Sequence, residues 1–335
     1  AMSGRLKFSG RPDHQFRQFA ALMGATAGVS LRRALGRPLV PSWPWAVEVG
    51  TELLREQMRL MFTMTPPEAR AFADSMTLPA PVLERVRVGE PVTKPVPGRW
   101  FEPAGHAGRT LLYLHGGGYA FHGGAFASFV ALVAEATRAR TFALDYRLTP
   151  EHPYPAQLDD AQAAYRALLA SGVDPERLVV AGDSAGGHLT LSLLVALRDV
   201  GAPLPAVALA LCPWTHSGAR GASLFANDPY DWVQGAHAVR FGEWLRRDLP
   251  ADDPRVSPLL ADLRGLPPIV LQAGGREILY DQIVEFAGVA KAQGVHVKLQ
   301  VWPEMNHDFQ AFGPDVPEAR EALAAMRAAV EEYCR

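Results

Sequence analysis

The stretch LVVAGDSAGGHLTLSLL, residues 178–194, runs an apolar segment into Gly182-Asp183-Ser184-Ala185-Gly186 and leaves as a helical pattern. A serine on a tight strand-to-helix turn has its hydroxyl lifted clear of the backbone, as a nucleophile requires. Small neighbours keep the adjoining strand and helix from being wedged apart. The new helix aims its first amides at developing negative charge. The pattern is short, and a glycine-rich helix cap with a capping serine would also satisfy it. A second stretch, LYLHGGGYAFHGG from Leu112 to Gly124, ends an apolar strand on His115 and three glycines. A serine attacking a carbonyl creates an oxyanion, and backbone N–H groups can hold it where no side chain blocks them. The donors expected are the amides of Gly117, Gly118 and Ala185, with His115 anchoring the loop.

Serine is a poor nucleophile at neutral pH without a base. Of the ten histidines, His307 fits best, because it follows the strand pattern VHVKLQVW through a short loop. His188 lies four residues beyond the serine on the helix, where packing is its expected role. His122 reads as a loop residue and His296 as a residue of the last strand. Asp183 adjoins the serine, but the turn points neighbouring side chains away from the hydroxyl, so a structural hydrogen bond is expected of it.

These residues need a scaffold. Eight strand patterns occur between Val82 and Trp302: VLERVRV, GRWFEPA, TLLYL, TFALDY, and the runs at 178–181, 206–212, 268–273 and 295–302. Amphipathic helical patterns alternate with them, which implies an α/β fold whose mostly parallel sheet is covered on both faces. Ligands in such folds bind at the carboxyl ends of the strands. Ser184, the glycine run and His307 all follow strands. Residues 1–80 differ in kind. They read helical, with Phe16, Phe19, Leu22 and Met23 on one face and no clear strand. A second helical insertion is expected at about 215–250, with Trp232, Phe241 and Trp244.

The motifs HGGGY, DYRLTPEHPYPA and GDSAGG, in this order, resemble those of the bacterial hormone-sensitive lipase family of α/β-hydrolases. The resemblance runs from about Val82 to the C-terminus. It implies an α/β-hydrolase domain over 81–335, with residues 1–80 and the later insertion forming a helical cap. His307, in EMNHDFQAF, is similar to the family's catalytic-histidine loop. Arg147 and Glu151 read as residues that pin a loop beneath the site. The family usually carries its acid in a pattern like D-P-L-x-D, and here the sequence departs. VLQAGGREILYDQ places Arg276 where that aspartate would stand, and arginine cannot serve. Glu277 is the acid expected, and Asp281, inside the next helix, is the alternative.

The resemblance implies a serine carboxylesterase acting on short- to medium-chain acyl esters through an acyl-enzyme, with no cofactor. An amidase, lactonase or carbamate hydrolase would use the same triad. A ligand-binding protein on the same scaffold would be expected to lack the histidine. Trp43, Trp45, Met58, Met61, Phe62 and Trp232 are candidates to line the pocket. A homodimer through the last strand and helix is a further expectation.

Bulk properties narrow the classes. A net charge of -2 and the lack of Lys/Arg runs give no basic field for a nucleic-acid partner. Two cysteines, Cys212 in an expected core strand and Cys334 near the end, make no disulfide framework and no metal spacing. No apolar run reaches the ~18 residues of a membrane span. Ala1 before Met2 reads as a cloning remnant with no signal-peptide pattern after it, so a cytoplasmic protein is expected.

Overall fold

The computed structural model describes residues 6–78, 80–106, 108–123 and 126–334, so Ala1, Met2 and Gly124 lie outside it. The N-terminal part is helical: α1 (Pro12–Ala34), α2 (Trp45–Met61) and α3 (Pro66–Ala73). Prolines open α1 and α3, where the missing N–H costs no hydrogen bond, and Thr65 with Glu68 forms a capping box on α3. The expectation of no strand here needs correction. β1 (Lys7–Phe8) pairs antiparallel with β2 (Met76–Thr77) and ties the two ends of the segment together. Two residues per strand are too few to leave a periodic signal.

The remaining chain runs β3 (Val86–Val88), β4 (Gly98–Pro103), β5 (Thr110–Leu114), α4 (Phe126–Thr137), β6 (Arg140–Leu144), α5 (Ala156–Ala170), β7 (Leu178–Asp183) and α6 (Ser184–Asp199). It continues β8 (Val207–Leu211), α7 (Ser223–Ala226), α8 (Gly235–Arg246), β9 (Ile269–Gly274), α9 (Tyr280–Ala292), β10 (Val297–Trp302) and α10 (Pro317–Tyr333). The eight-stranded sheet has the order β10-β9-β8-β7-β5-β6-β4-β3. It is parallel from β10 to β6 and antiparallel at β6-β4-β3.

Alternate strand residues point to opposite faces, and both faces are dry. Leu112, Leu114, Val180 and Leu271 join a core with Leu168 of α5, Leu189 of α6 and Phe286 of α9. Leu111, Tyr113, Val179 and Leu209 join another with Val133 of α4 and Met326 of α10. The switch in strand order falls at β7-β5-β6, so the loops after β5 and β7 open beside one another.

Several boundaries differ from the sequence reading. Residues 81–84 form a 3₁₀ turn opened by Pro81, so only the second half of VLERVRV is strand. Cys212 lies one residue past β8 with φ +44°. His296 precedes β10, and its carbonyl accepts the Ile269 amide at 2.9 Å. Both cysteines are free and buried. The largest reversal concerns α1. Its inner face holds His14 and Gln18, with Gln18 Nε2 donating to the Phe72 carbonyl at 2.9 Å. Phe16, Phe19 and Met23 point to solvent instead.

Candidate active site

Ser184 is the first residue of α6 and has φ +53°. Left-handed backbone costs a non-glycine residue roughly 1–2 kcal/mol, so packing must hold this turn. The packing has little slack. A Cβ on Gly182 or Gly186 would overlap the Leu114 carbonyl of β5, and one on Gly187 would press on Pro213. The Ser184 carbonyl accepts the Trp214 amide at 3.0 Å.

Each glycine after His115 makes room for a different neighbour. A side chain at Gly116 would overlap the Asp183 carboxylate, at Gly117 the Phe121 carbonyl, and at Gly118 the Phe241 ring. Gly117 and Gly118 also have positive φ, +100° and +61°. Asp183 ties the two loops together: its Oδ1 accepts Tyr113 Oη at 2.6 Å and the Gly116 amide at 2.9 Å. His115 lies stacked on Tyr146, whose hydroxyl donates to the His115 carbonyl at 2.5 Å. Both residues thus hold the loop, as the sequence reading expects. Gly117, Gly118, Ser184, Ala185 and His307 border one cavity. Ala185 is in the first turn of α6, where amides have no partner within the helix.

His307 Nδ1 lies 3.3 Å from Glu277 Oε2, and its Nε2 lies 3.3 Å from Asp308 Oδ2. Burial lowers the imidazole to about 3, so it rests neutral, as a base must. Burial likewise pushes the Glu277 carboxyl well above the usual range. Asp281 is elsewhere: it lies in the first turn of α9 and accepts the Ser223 amide at 2.9 Å. Arg276 turns to Glu304 at 2.8 Å and lies over the Tyr230 ring.

The Cys212, Glu277 and His307 donor atoms lie within 4.8 Å of one another, the group best spaced for a metal ion among the described residues. Burial raises the Cys212 thiol well above its usual value and keeps it protonated, while metals bind the thiolate. The trio fits a histidine–carboxylate pair packed against a thiol better than a cation site.

The other histidines and loop residues separate cleanly from this centre. His188 accepts from Tyr119 Oη at 2.7 Å through Nδ1 and reaches the Val256 carbonyl at 3.0 Å, a neutral packing role. His122 stacks on Phe126 near Asp145. His296 meets Tyr333 Oη at 2.7 Å. Arg147 pairs with Asp160, and Glu151 pairs with Arg70 of α3, fastening the N-terminal helices to the loop after β6.

Sequence reasoning missed Asp231. This buried carboxylate accepts the Ile278 amide at 2.7 Å through Oδ2. Its Oδ1 accepts the amides of Trp232 at 2.7 Å and His307 at 3.4 Å. Trp232 Nε1 donates to the His307 carbonyl at 2.7 Å, and Arg55 of α2 holds the Asp231 carbonyl. One aspartate therefore fixes the residue after Glu277 and His307 together. Nothing in DPYDW marks it, because Ile278 and His307, the partners that tie it to the site, are 47 and 76 residues away in sequence. Asp308 was missed as well. Burial and the nearby Asp183 carboxylate push its carboxyl well above the usual range.

Asp231→Asn should show this linkage. Burial raises its carboxyl to about 7, against about 3.9 in an unfolded chain. Between those values the native state binds the extra proton, so this group's contribution is present at low pH and fades as pH rises through 7. The stability advantage of the wild type over Asp231→Asn, read by urea melts, is expected to shrink from pH 5 to 8. Loss of paired acceptors should cost about 1–3 kcal/mol at pH 5. A pH-independent difference would contradict the linkage.

Of the expected pocket residues, Met58 and Trp232 line the cavity, joined by Trp214, Val233, Ala238 and Phe241. Trp43 and Met61 are core, Trp45 is exposed, and Phe62 stacks on His237 and Trp244. The cavity is narrow, about 30 Å³.

A family profile described as α/β hydrolase fold matches residues 111–311. An acetyl-hydrolase of Streptomyces hygroscopicus is 40% identical over 228 residues, 67% of this chain and 76% of its own. A carboxylesterase of Mycobacterium tuberculosis is 33% identical over 84% of this chain and 90% of its own. The crystal structure of an esterase from the bacterial hormone-sensitive lipase family superposes with a TM-score of 0.76 at 36% identity, covering 84% of this chain and 97% of that one.

Proposed function

The chain belongs to the α/β-hydrolase-fold family and is a carboxylic ester hydrolase like the bacterial hormone-sensitive lipase esterases, and on that premise we propose that it works through a Ser184–His307–Glu277 triad. The observation that carries the proposal is the 3.3 Å approach of Glu277 Oε2 to His307 Nδ1 beside the cavity that Ser184 borders. A proton on Nδ1, held by Glu277, gives Nε2 a lone pair to accept the Ser184 proton once the ring turns from Asp308 Oδ2, which lies 3.3 Å from Nε2. The serine oxygen attacks the ester carbonyl, and the resulting oxyanion is met by the amides of Gly117, Gly118 and Ala185. Nε2 then gives its proton to the departing alcohol. Water, deprotonated in turn by His307, clears the acyl-enzyme.

The acyl preference in this proposal is short to medium. Trp214, Trp232 and Phe241 line the cavity and keep it narrow, which favours small acyl groups. The N-terminal helices and the α7–α8 segment, the proposed cap, meet at Phe62, which packs on His237, Phe241 and Trp244. Hydrolysis of p-nitrophenyl esters from acetate to laurate tests the reading, with activity expected to peak between acetate and octanoate. Faster turnover of p-nitroanilides, lactones or carbamates would move the assignment to those substrates. A cytoplasmic homodimer joined through the last strand and helix, β10 and α10, completes the proposal, and sedimentation velocity tests the dimer.

Gly117→Ala tests the oxyanion role. The new Cβ would meet the Phe121 carbonyl at a φ of +100°, so the loop must shift. Removing one such donor costs about 10²–10³ in kcat. That loss is expected with KM changed severalfold at most, and a loss below tenfold would remove Gly117 from the role.

A further inference from the structure

Among the described residues, eight of the thirteen exposed large apolar side chains lie between Leu6 and Leu78. They centre on α1. Phe16 is 71% exposed, Phe19 51%, Met23 49% and Leu31 62%, with Leu35 just past the helix end. At 100° per residue, Phe16, Met23, Ala27 and Ala34 share one outward line, flanked by Phe19 and Leu31. Trp45, 45% exposed, lies against this face with Nε1 on Ser30 Oγ at 3.2 Å. The helix thus shows solvent its apolar side and buries His14 and Gln18.

Charge says what covers this face. The first 38 residues hold seven Lys or Arg against one Asp, a net +6 in a chain whose total is -2. The rest of the chain is therefore acidic. Lys7, Arg17 and Arg37 are exposed and take no part in the ion pairs found among the described residues. Aromatic and aliphatic side chains along one helix face, with basic residues at its borders, match the chemistry of an anionic lipid surface. Arg32 and Arg33 are met by Glu48 and Glu52 of α2, which leaves Lys7, Arg17 and Arg37 as the cations of this segment outside the ion pairs found among the described residues. A second copy of the chain would set these like charges against one another, and an acidic protein would find few charges on the apolar line itself.

We propose that α1 docks this protein on the surface of an anionic phospholipid bilayer, with Phe16, Phe19, Met23, Leu31 and Trp45 entering the headgroup boundary. α1 packs against α2, whose Met58 lines the Ser184 cavity, so docking would set the N-terminal helices, and not the acidic remainder, toward the lipid. The proposal does not depend on the reaction at Ser184.

Flotation of the full chain with vesicles tests it. Binding is expected to phosphatidylcholine vesicles containing about one-third phosphatidylglycerol, and at least tenfold weaker binding to phosphatidylcholine alone. Phe16→Ser with Phe19→Ser should weaken binding at least tenfold. Arg17→Glu with Arg37→Glu should weaken it and flatten its salt dependence. All four residues point outward and lie away from the cavity, so both double variants should hydrolyse soluble p-nitrophenyl butyrate, or melt, as the wild type does. Failure of the wild type to bind the anionic vesicles would overturn the proposal. So would equal binding by the Phe16→Ser/Phe19→Ser variant. A dimer in solution that this variant dissociates, without vesicle binding, would assign the face to a second copy and overturn it too.

Discussion

Ser184→Ala is expected to lower kcat for p-nitrophenyl butyrate by about 10⁶-fold while leaving the melting temperature within a few degrees. The hydroxyl is the proposed nucleophile, and among the described residues no other that borders the cavity carries a hydroxyl or thiol. The fold should tolerate the change. Ser184 owes its left-handed backbone to Gly182, Gly186 and Gly187 packing on β5 and Pro213, and alanine pays no more for that conformation than serine does. Background hydrolysis above that of water should persist, because the oxyanion donors and the cavity remain. A phosphonate inhibitor should label the wild type at one site, found at Ser184 by mass spectrometry, and should not label the variant. A variant that keeps more than about one hundredth of the wild-type rate would place the nucleophile elsewhere.

Glu277→Gln should lower kcat by about 10⁴-fold, whereas Asp281→Asn should change it less than about threefold. Glu277 is fully buried, with Oε2 toward His307 Nδ1, while its Oε1 has no hydrogen-bond partner among the described residues. An amide there can face Nδ1 with its NH₂ and select the tautomer whose proton sits on Nε2, which cannot accept from the serine. It also removes the charge that stabilises the imidazolium in the transition state. Asp281 serves the Ser223 amide, which an asparagine oxygen can still accept. KM should be similar in all three proteins, because neither carboxylate borders the cavity. If Asp281→Asn abolished activity and Glu277→Gln did not, the acid assignment would be overturned.

How much was legible follows from the range of each interaction. The glycines around Ser184 and Gly116 are required by contacts with β5, Pro213 and Asp183, close to the motifs themselves, so local sequence carried them, while Gly118 makes room for Phe241 of α8. The strands of the sheet core are continuous apolar runs, because both faces are buried. β1 and β2 were not legible, since a two-residue ribbon has no period. α1 misled for a related reason. A 3.6-residue apolar stripe states that a face must be covered, but not by what, and here the fold covers the opposite face.

The sequence by itself determined the α/β class, and it singled out the turn at Ser184, the glycine loop beside it and, among ten histidines, His307 as the candidates for the proposed chemistry. Those features are written in residues adjacent along the chain. The sequence preferred Glu277 to Asp281, two carboxylates four residues apart, and the tertiary structure gave that preference a geometry by burying one against His307 and turning the other to Ser223. The tertiary structure alone brought in Asp231, whose carboxylate reaches Ile278 and His307 from a distant segment. A buried carboxylate is held by whichever amides the packed chain delivers to it, and those contacts exist only after the sheet, the loops and the covering helices have closed around one centre.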